Sequence, residues 1–209
     1  MSHIETTSLN VVCLPDSEIT KQAIHLSSEV SKLAESNYTL DGIKYFPHIT
    51  LYQSAFPTKN IDSIKSALTS LANQIRPLDI RMNNLSVLLE FLFWDAVKTP
   101  ELLALQSAVV AALNPFREGS LLSEDRQRLD MPDFPQVMKD NIQTYGYPLI
   151  GDLYSPHISL TRFTDSTLAL KAQRQLETPS MQFTVSSLHL ANRGPDGTVN
   201  KIFENYQLT

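Results

Sequence analysis

The chain has 209 residues, a net charge of −5 and a single cysteine. This length fits one domain, or one domain of two lobes. The acidic charge disfavours a protein that coats long nucleic acids by neutralising their phosphates, and one cysteine excludes an internal disulfide or a cysteine-cluster metal site. No apolar run approaches the roughly 20 residues that span a bilayer, and the N-terminus lacks a signal-peptide pattern. We therefore expect a cytoplasmic monomer without a membrane segment.

The first part of the chain alternates short strands with amphipathic helices. A β-prone run over 10–14 precedes a helix that Asp16 or Ser17 can cap. Apolar residues then recur at helical spacing. A strand ending near Pro57 and an amphipathic helix over 61–75 follow.

The middle of the chain contains a buried hairpin and an irregular segment. The stretch 85–97 is apolar on both faces, which indicates two buried strands. Thr99 and Pro100 predict the start of the next helix, because a capping hydroxyl precedes a proline at the first helical position. The segment 114–151 holds mixed charge and four prolines, with a short helical piece around 134–142. We predict that it is an insertion or a lid.

The last part repeats the order of the first. A strand over 156–162 is followed by a helix that Asp165 can cap, a strand over 181–185, and a final strand over 199–208. Strand-then-helix units in both halves form a weak internal repeat. The repeat predicts two similar lobes that face each other across a groove.

One pattern, Pro-His-Ile-(Ser or Thr)-Leu, occurs twice, at residues 47–51 and 156–160. Apolar and polar residues alternate within it, as in a half-buried strand. Because side chains two residues apart share a strand face, His48 lies beside Thr50, and His157 lies beside Ser159. The isoleucine and leucine of each copy point the other way, into a core.

These residue types suit phosphodiester hydrolysis, which needs a base for the attacking oxygen and an acid for the leaving oxygen. Histidine can do both, because its ordinary pKa of about 6.5 lies near neutral pH. The hydroxyls of Thr50 and Ser159 can donate hydrogen bonds to the non-bridging oxygens. No metal or cofactor is needed, and either histidine can take either role.

The last four residues of this pattern, His-Ile-(Ser or Thr)-Leu, form a tetrapeptide that occurs twice. The repeated tetrapeptide resembles the sequence motif of the 2H phosphoesterases, which include 2′-5′ RNA ligase-like proteins and 2′,3′-cyclic phosphodiesterases. The resemblance covers most of the chain. It implies an α+β fold in which two pseudo-symmetric lobes line a central cleft with antiparallel sheets and carry helices outside, as a single bilobal domain over 1–209. It also implies four catalytic residues: His48, Thr50, His157 and Ser159. The chain departs from the family pattern in Ser159, where threonine is common, and in the long stretch before it.

The implied activity is metal-independent hydrolysis of a 2′,3′-cyclic phosphate or a 2′-5′ phosphodiester in a nucleotide or RNA end. Four residues are further candidates for substrate binding. Tyr52 shares a face with His48 in a regular strand, and Tyr154 directly precedes the second motif. Arg162 resembles the arginine often found after that motif; it reaches the cleft if the strand twists, and otherwise pairs structurally on the opposite face. Trp94 can stack on a base or pack in the core.

Three alternatives remain. The same site could join RNA ends, the protein could bind nucleotides without catalysis, or the two histidines could hold a metal. The metal reading is the weakest, because no acidic residue or cysteine stands near either motif in the sequence. The other histidines lack a partner motif: we expect His3 in a disordered end, His25 beside a helix's apolar stripe and His189 packed on a strand.

Overall fold

The computed structural model describes residues 5–209. Its strands form one antiparallel sheet in the order β6-β3-β4-β5-β2-β1-β7-β8. The strands are β1 (Thr6–Cys13), β2 (Ile49–Pro57), β3 (Leu78–Leu88), β4 (Phe91–Ala96), β5 (His157–Arg162), β6 (Met181–Val185), β7 (Ser187–Asn192) and β8 (Ile202–Gln207). The α-helices are α1 (Ser17–Leu33), α2 (Ile61–Ala72), α3 (Pro100–Leu113), α4 (Ser123–Asp130), α5 (Gln136–Tyr145) and α6 (Ser166–Gln175).

A single residue pair joins the two halves of the sheet. Strands β2 and β5 meet at Ile49 and Ile158, and both of these side chains are fully buried. On one side of this pair lies the first lobe, with strands β2, β1, β7 and β8, and on the other lies the second lobe, with β5, β4, β3 and β6. The predicted α+β fold of two antiparallel lobes is confirmed.

The helices pack on the lobes, and one of them crosses between lobes. Helices α2 and α3 contact strands of the first lobe, and α3 also contacts β3, whereas α1 and α6 contact strands of the second lobe. Helix α1 directly follows a strand of the first lobe, yet its buried Ser27 donates a hydrogen bond to the carbonyl of Leu160 over 2.7 Å. The same hydroxyl accepts from the amide of Leu40 over 2.8 Å. This exchange ties the second histidine strand to the chain that leads into the first.

The predicted helix starts are confirmed. Asp16 accepts hydrogen bonds from two backbone amides in the first turn of α1, and Asp165 does the same for α6. Thr99 accepts from the amide of Leu102 over 3.2 Å, with Pro100 opening α3. Each cap satisfies amides that a helix leaves unpaired at its N-terminus.

The segment 114–151 contains two helices rather than the one predicted. Helix α4 was missed because its sequence is almost wholly polar and carries no apolar periodicity. The segment is organised by the buried Arg117, which donates to the carbonyls of Ser120, Gln143 and Thr144. Its contact with the first lobe includes an ion pair between Glu124 and Arg193. Its action as a lid stays a prediction.

Candidate active site

The first histidine motif carries a β-bulge at Leu51. Along the β1–β2 pair, Val12 stands opposite Thr50 and Val11 opposite Tyr52, so Leu51 has no partner on β1. A bulge inserts one residue into one strand and breaks the alternation of faces. Residues after Leu51 therefore lie on the face opposite to the one that simple alternation predicts.

The second motif carries the same bulge at the equivalent leucine. Along the β4–β5 pair, Phe93 stands opposite Ser159 and Leu92 opposite Thr161, which leaves Leu160 without a partner on β4. Both leucines are fully buried. The internal repeat therefore includes the two β-bulges as well as the two sequence motifs.

The register around the joining isoleucine pair brings the four motif side chains together. Because β2 and β5 are antiparallel at Ile49 and Ile158, His48 stands across from Ser159, and Thr50 stands across from His157. Side chains directly opposite on antiparallel strands have Cβ atoms about 4.5–5.5 Å apart and share a face. This face is opposite to the buried isoleucines, so the four polar side chains border the cleft between the lobes.

Both imidazoles are held in the same way. The Nδ1 atom of His48 lies 2.8 Å from the carbonyl oxygen of Phe46, and that of His157 lies 2.7 Å from the carbonyl oxygen of Ser155. A carbonyl oxygen can only accept, so in each ring Nδ1 carries a hydrogen and donates. In the neutral rings Nε2 is then left as the basic atom.

Burial lowers the pKa of both histidines. For His48 the loss of water outweighs the opposing effect of the carbonyls of Phe46 and Gly197. The pKa of His157 is lowered to about 4, mainly by burial and also by the positive charge that His48 can carry, while the carbonyl of Ser155 opposes the shift. Both imidazoles are neutral near pH 7 in the free protein.

A buried amide orients the hydroxyl of Thr50. The side-chain nitrogen of Asn10 donates to Thr50 Oγ1 over 3.0 Å, and Asn10 is fully buried. Since the oxygen already accepts this bond, its own hydrogen is free for another acceptor. Asn10 was not predicted from the sequence; the available signal was a polar residue directly before the apolar run 11–14.

We expect Asn10→Asp to reduce turnover by about 10- to 100-fold, because a carboxylate accepts hydrogen bonds and would draw the hydroxyl of Thr50 away from the substrate. Asn10→Ser is the matched control, because it changes the same buried site without adding a charge. Steady-state kinetics and thermal unfolding of both variants check this. Equal activity losses in the two variants would show that Asn10 acts only through packing.

An aromatic ring supports His157. The ring of Phe93 is stacked on the imidazole, with centroids 3.8 Å apart and planes inclined by 23°. Phe91 lies beside Phe93 at 5.7 Å, and the guanidinium of Arg162 lies over Phe91 at 5.2 Å. The rings form a column along the cleft side of the second lobe.

Arg162 lies on the cleft face because of the bulge at Leu160. It stands opposite Phe91, which shares a face with Phe93. Its guanidinium donates to Asp196 over 2.6 Å and to Glu90 over 3.4 Å. In a regular strand, without the bulge, the side chain of Arg162 would face away from the cleft. The equivalent residue after the first motif is Gln53, which sequence analysis did not single out.

The other three substrate-binding candidates lie away from the cleft, so these predictions were wrong. The first bulge turns Tyr52 into the core, where it is 1% exposed and donates to the carbonyl of Tyr145. Trp94 is fully buried opposite Ile158. Tyr154 is also buried, and its hydroxyl donates to the backbone carbonyl of Thr50 over 3.1 Å, so it supports the strand.

The two other histidines within residues 5–209 lie outside this arrangement. His25 is exposed on α1, and His189 is half-buried on β7. His3 lies outside the described residues. Within residues 5–209, no three His, Cys, Asp or Glu side chains are grouped closely enough to hold a metal ion. In the same range no helix has the length and apolarity needed to cross a membrane.

Comparisons with known proteins identify the family and the fold. The family model described as the 2′-5′ RNA ligase superfamily matches residues 15–197. The structure is similar to TT0787 of Thermus thermophilus at 16% identity and a TM-score of 0.57, covering 96% of this chain and 97% of that one. It is also similar to Escherichia coli LigT, solved with phosphate, at 14% identity and a TM-score of 0.58, covering 98% and 99%.

LigT solved with 3′-AMP gives 17% identity and a TM-score of 0.53, covering 98% of this chain and 99% of that one. No curated protein sequence matches. These structural likenesses establish the shared fold, and the family model extends over most of the chain, including both histidine motifs. The chain therefore belongs to the 2′-5′ RNA ligase superfamily of 2H phosphoesterases.

Proposed function

We propose that this protein is a metal-independent phosphodiesterase that hydrolyses a 2′,3′-cyclic phosphate or a 2′-5′ phosphodiester in a nucleotide or at an RNA end. His48 and His157 would be its general acid and base. The observation that carries the proposal is the register at Ile49 and Ile158, which sets two imidazoles and two hydroxyls on one face. Membership of a phosphoesterase superfamily supports the same chemistry.

The reaction needs only groups that border this cleft. One neutral imidazole takes the proton of the attacking water through Nε2, while the other, once protonated, gives a proton to the leaving sugar oxygen. The hydroxyls of Thr50 and Ser159 donate to the non-bridging oxygens, where negative charge builds. Arg162 is a candidate for the same anion, although Asp196 and Glu90 already hold it.

Two properties favour a small substrate. The net charge of −5 works against binding along a long nucleic acid. Among structural relatives, Escherichia coli LigT has been solved with phosphate and with 3′-AMP. We therefore expect one nucleotide, or the end of an RNA, to occupy the cleft.

The test is a screen of 2′,3′-cyclic nucleotides, 2′-5′ dinucleotides and cyclic oligonucleotides, each with and without a chelator. We expect hydrolysis of at least one class at a rate that the chelator leaves unchanged. Activity that is lost with chelator and restored by zinc or manganese would move the assignment to a metal-dependent enzyme.

Ligation of RNA ends is the second candidate, because the family takes its name from a 2′-5′ RNA ligase. It is the reverse reaction and would use the same four side chains. Binding of long RNA that weakens steeply with salt would favour it. Binding that is insensitive to salt and requires only a mononucleotide favours the hydrolase.

Binding of a phosphodiester should take up a proton. Both histidines are neutral near pH 7 in the free protein, because burial lowers their pKa. A bound monoanion raises the pKa of the histidine that acts as acid. Between the lowered and the raised pKa the complex holds more protons than the free protein, so affinity should fall as pH rises through this window.

Calorimetry from pH 5 to 8, in two buffers of different ionisation enthalpy, measures this uptake directly with a non-hydrolysable phosphodiester. We expect up to one proton per ligand, and less in His48→Ala or His157→Ala. A binding enthalpy that is independent of the buffer over the whole range contradicts the proposed proton transfer.

A further inference from the structure

The two halves of the cleft are chemically unequal although their backbones match. Beside the first motif stands Val12, which is fully buried in a small apolar cluster whose members are Val12, Ala191, Val199, Leu14, Phe46 and Ile202. The matching position beside the second motif is Phe93, and it faces the cleft side of the second lobe. An apolar cluster therefore lies beside the first motif, and an aromatic ring that is stacked on His157 lies beside the second.

The second half of the cleft carries a carboxylate that the mechanism does not use. Asp95 stands directly opposite His157 on β4, so it shares a face with that ring and with Phe93. It is half-buried, and one carboxylate oxygen accepts a hydrogen bond from the hydroxyl of Ser86 over 2.7 Å. The equivalent residue of the first lobe is Leu14, which follows Cys13 and is apolar.

No cation compensates this carboxylate within residues 5–209. Ser86 is the one side chain there that donates to it, and burial raises its pKa because it loses water without gaining a positive partner. A negative group beside a phosphate site weakens the binding of an anion. The carboxylate of Asp95 favours binding where the substrate itself donates a hydrogen bond to it.

We propose that Asp95 is a specificity residue that accepts a hydrogen bond from an amino group of the substrate's nucleobase. The inference rests on the proposed function, because it places the phosphate between the two histidines. In a 2′,3′-cyclic nucleotide both neighbouring sugar hydroxyls are consumed by the phosphate. The 5′-hydroxyl and the base then remain as donors, and the base is the group that extends away from the phosphate.

The environment of Asp95 suits the edge of a base. Phe93 is 9% exposed and its faces are taken by His157 and Phe91, so the column presents ring edges to the cleft. Leu88, which stands opposite Phe91 at the end of the hairpin, is 54% exposed and extends an apolar surface beyond the column. A carboxylate accepts well from the amino group of cytosine, adenine or guanine, whereas uracil offers one imino hydrogen between two carbonyls that repel it.

Binding of nucleoside monophosphates tests this without any need for turnover. We expect cytidine 2′-monophosphate to bind the wild-type protein about ten-fold more tightly than uridine 2′-monophosphate, the scale of one good base contact. Asp95→Asn should remove this preference, because its amide can also donate to the uracil carbonyl. Inorganic phosphate, which has no base, should bind both proteins equally or slightly more tightly to the variant.

Asp79→Asn is the matched control, because Asp79 also accepts from a hydroxyl on a neighbouring strand, that of Thr184 over 2.6 Å, but at the outer edge of the second lobe. It should leave the preference unchanged. Asp95→Ala gives a second variant without any acceptor, and it should lose affinity for the cytidine nucleotide alone.

The proposal is overturned if the wild-type protein binds both nucleotides equally, or if Asp95→Asn keeps the ten-fold preference. It is also overturned if Asp95→Asn no longer binds inorganic phosphate. Turnover separates this result from the proposed function. A base preference that depends on Asp95 in a protein that hydrolyses no phosphodiester would refute the hydrolase and keep the specificity site. Hydrolysis without base preference would do the reverse.

Discussion

His48→Ala and His157→Ala should each reduce turnover by about 10²- to 10⁴-fold, the usual contribution of a positioned general acid or base. The reason is geometric: both rings flank the joining isoleucine pair on one face, and each holds its Nδ1 against a backbone carbonyl. The double variant should lose little more than either single one, because two groups that act as a unit give non-additive losses. Steady-state kinetics on the substrate found by the screen measure this.

The matched control is His25→Ala, which removes an exposed imidazole from α1 and should change neither activity nor stability. Circular dichroism and thermal unfolding establish that the catalytic variants are folded. Near-wild-type turnover by either folded variant would end the two-histidine mechanism. A loss that accompanies unfolding would instead assign the residue to structure.

The composition of the motif was predictable because it depends on local alternation. Residues two apart share a strand face, which pairs His48 with Thr50, and His157 with Ser159. Caps were predictable for the same reason, since a hydroxyl or carboxylate such as that of Asp16 acts within its own turn.

The faces of residues beyond each motif were not predictable in this way. They depend on the two bulges at the motif leucines, and a bulge is a property of register between strands that are distant in sequence. Because of these bulges Tyr52 lies in the core and Arg162 lies on the cleft face, whereas simple alternation would have placed each of them on the opposite face. Asn10 and Asp95 were missed for a related reason, because their partners Thr50 and His157 are brought to them by strand pairing alone.

The segment 114–151 was only partly predictable. An apolar pattern marked the region of α5, whereas α4 depends on contacts that its own sequence does not reveal. Its Asp125 is 1% exposed and pairs with Arg128 over 2.6 Å. Burial of a charge in a short polar helix arises from what the helix packs against, and local propensity carries no information about that.

Gly146→Ala should destabilise this protein strongly. Gly146 ends α5 with a φ of +69°, and a Cβ there would collide with Ser54 Oγ and lie 2.5 Å from Cδ of the buried Arg117. Left-handed backbone costs a residue with Cβ about 1–2 kcal/mol, and overpacking a filled site adds about 1–3 kcal/mol. The expected sum is about 3 kcal/mol. Each kcal/mol lowers the melting temperature by roughly 2–4 °C in a chain of this size.

Gly119→Ala separates the two contributions, because Gly119 has a φ of +74° but no atom within 4 Å of a Cβ. It should lose only the backbone share, about 1–2 kcal/mol. The collision at Gly146 should also disturb the strand that carries Thr50, since Ser54 on β2 donates to the carbonyl of Gly146 over 3.2 Å. We therefore expect Gly146→Ala to lower turnover as well as melting temperature, whereas Gly119→Ala should lower melting temperature alone. Equal losses of stability in the two variants would mean that the added Cβ at Gly146 is accommodated without cost. The close packing of Gly146 against β2 would then not fix the position of the segment 114–151.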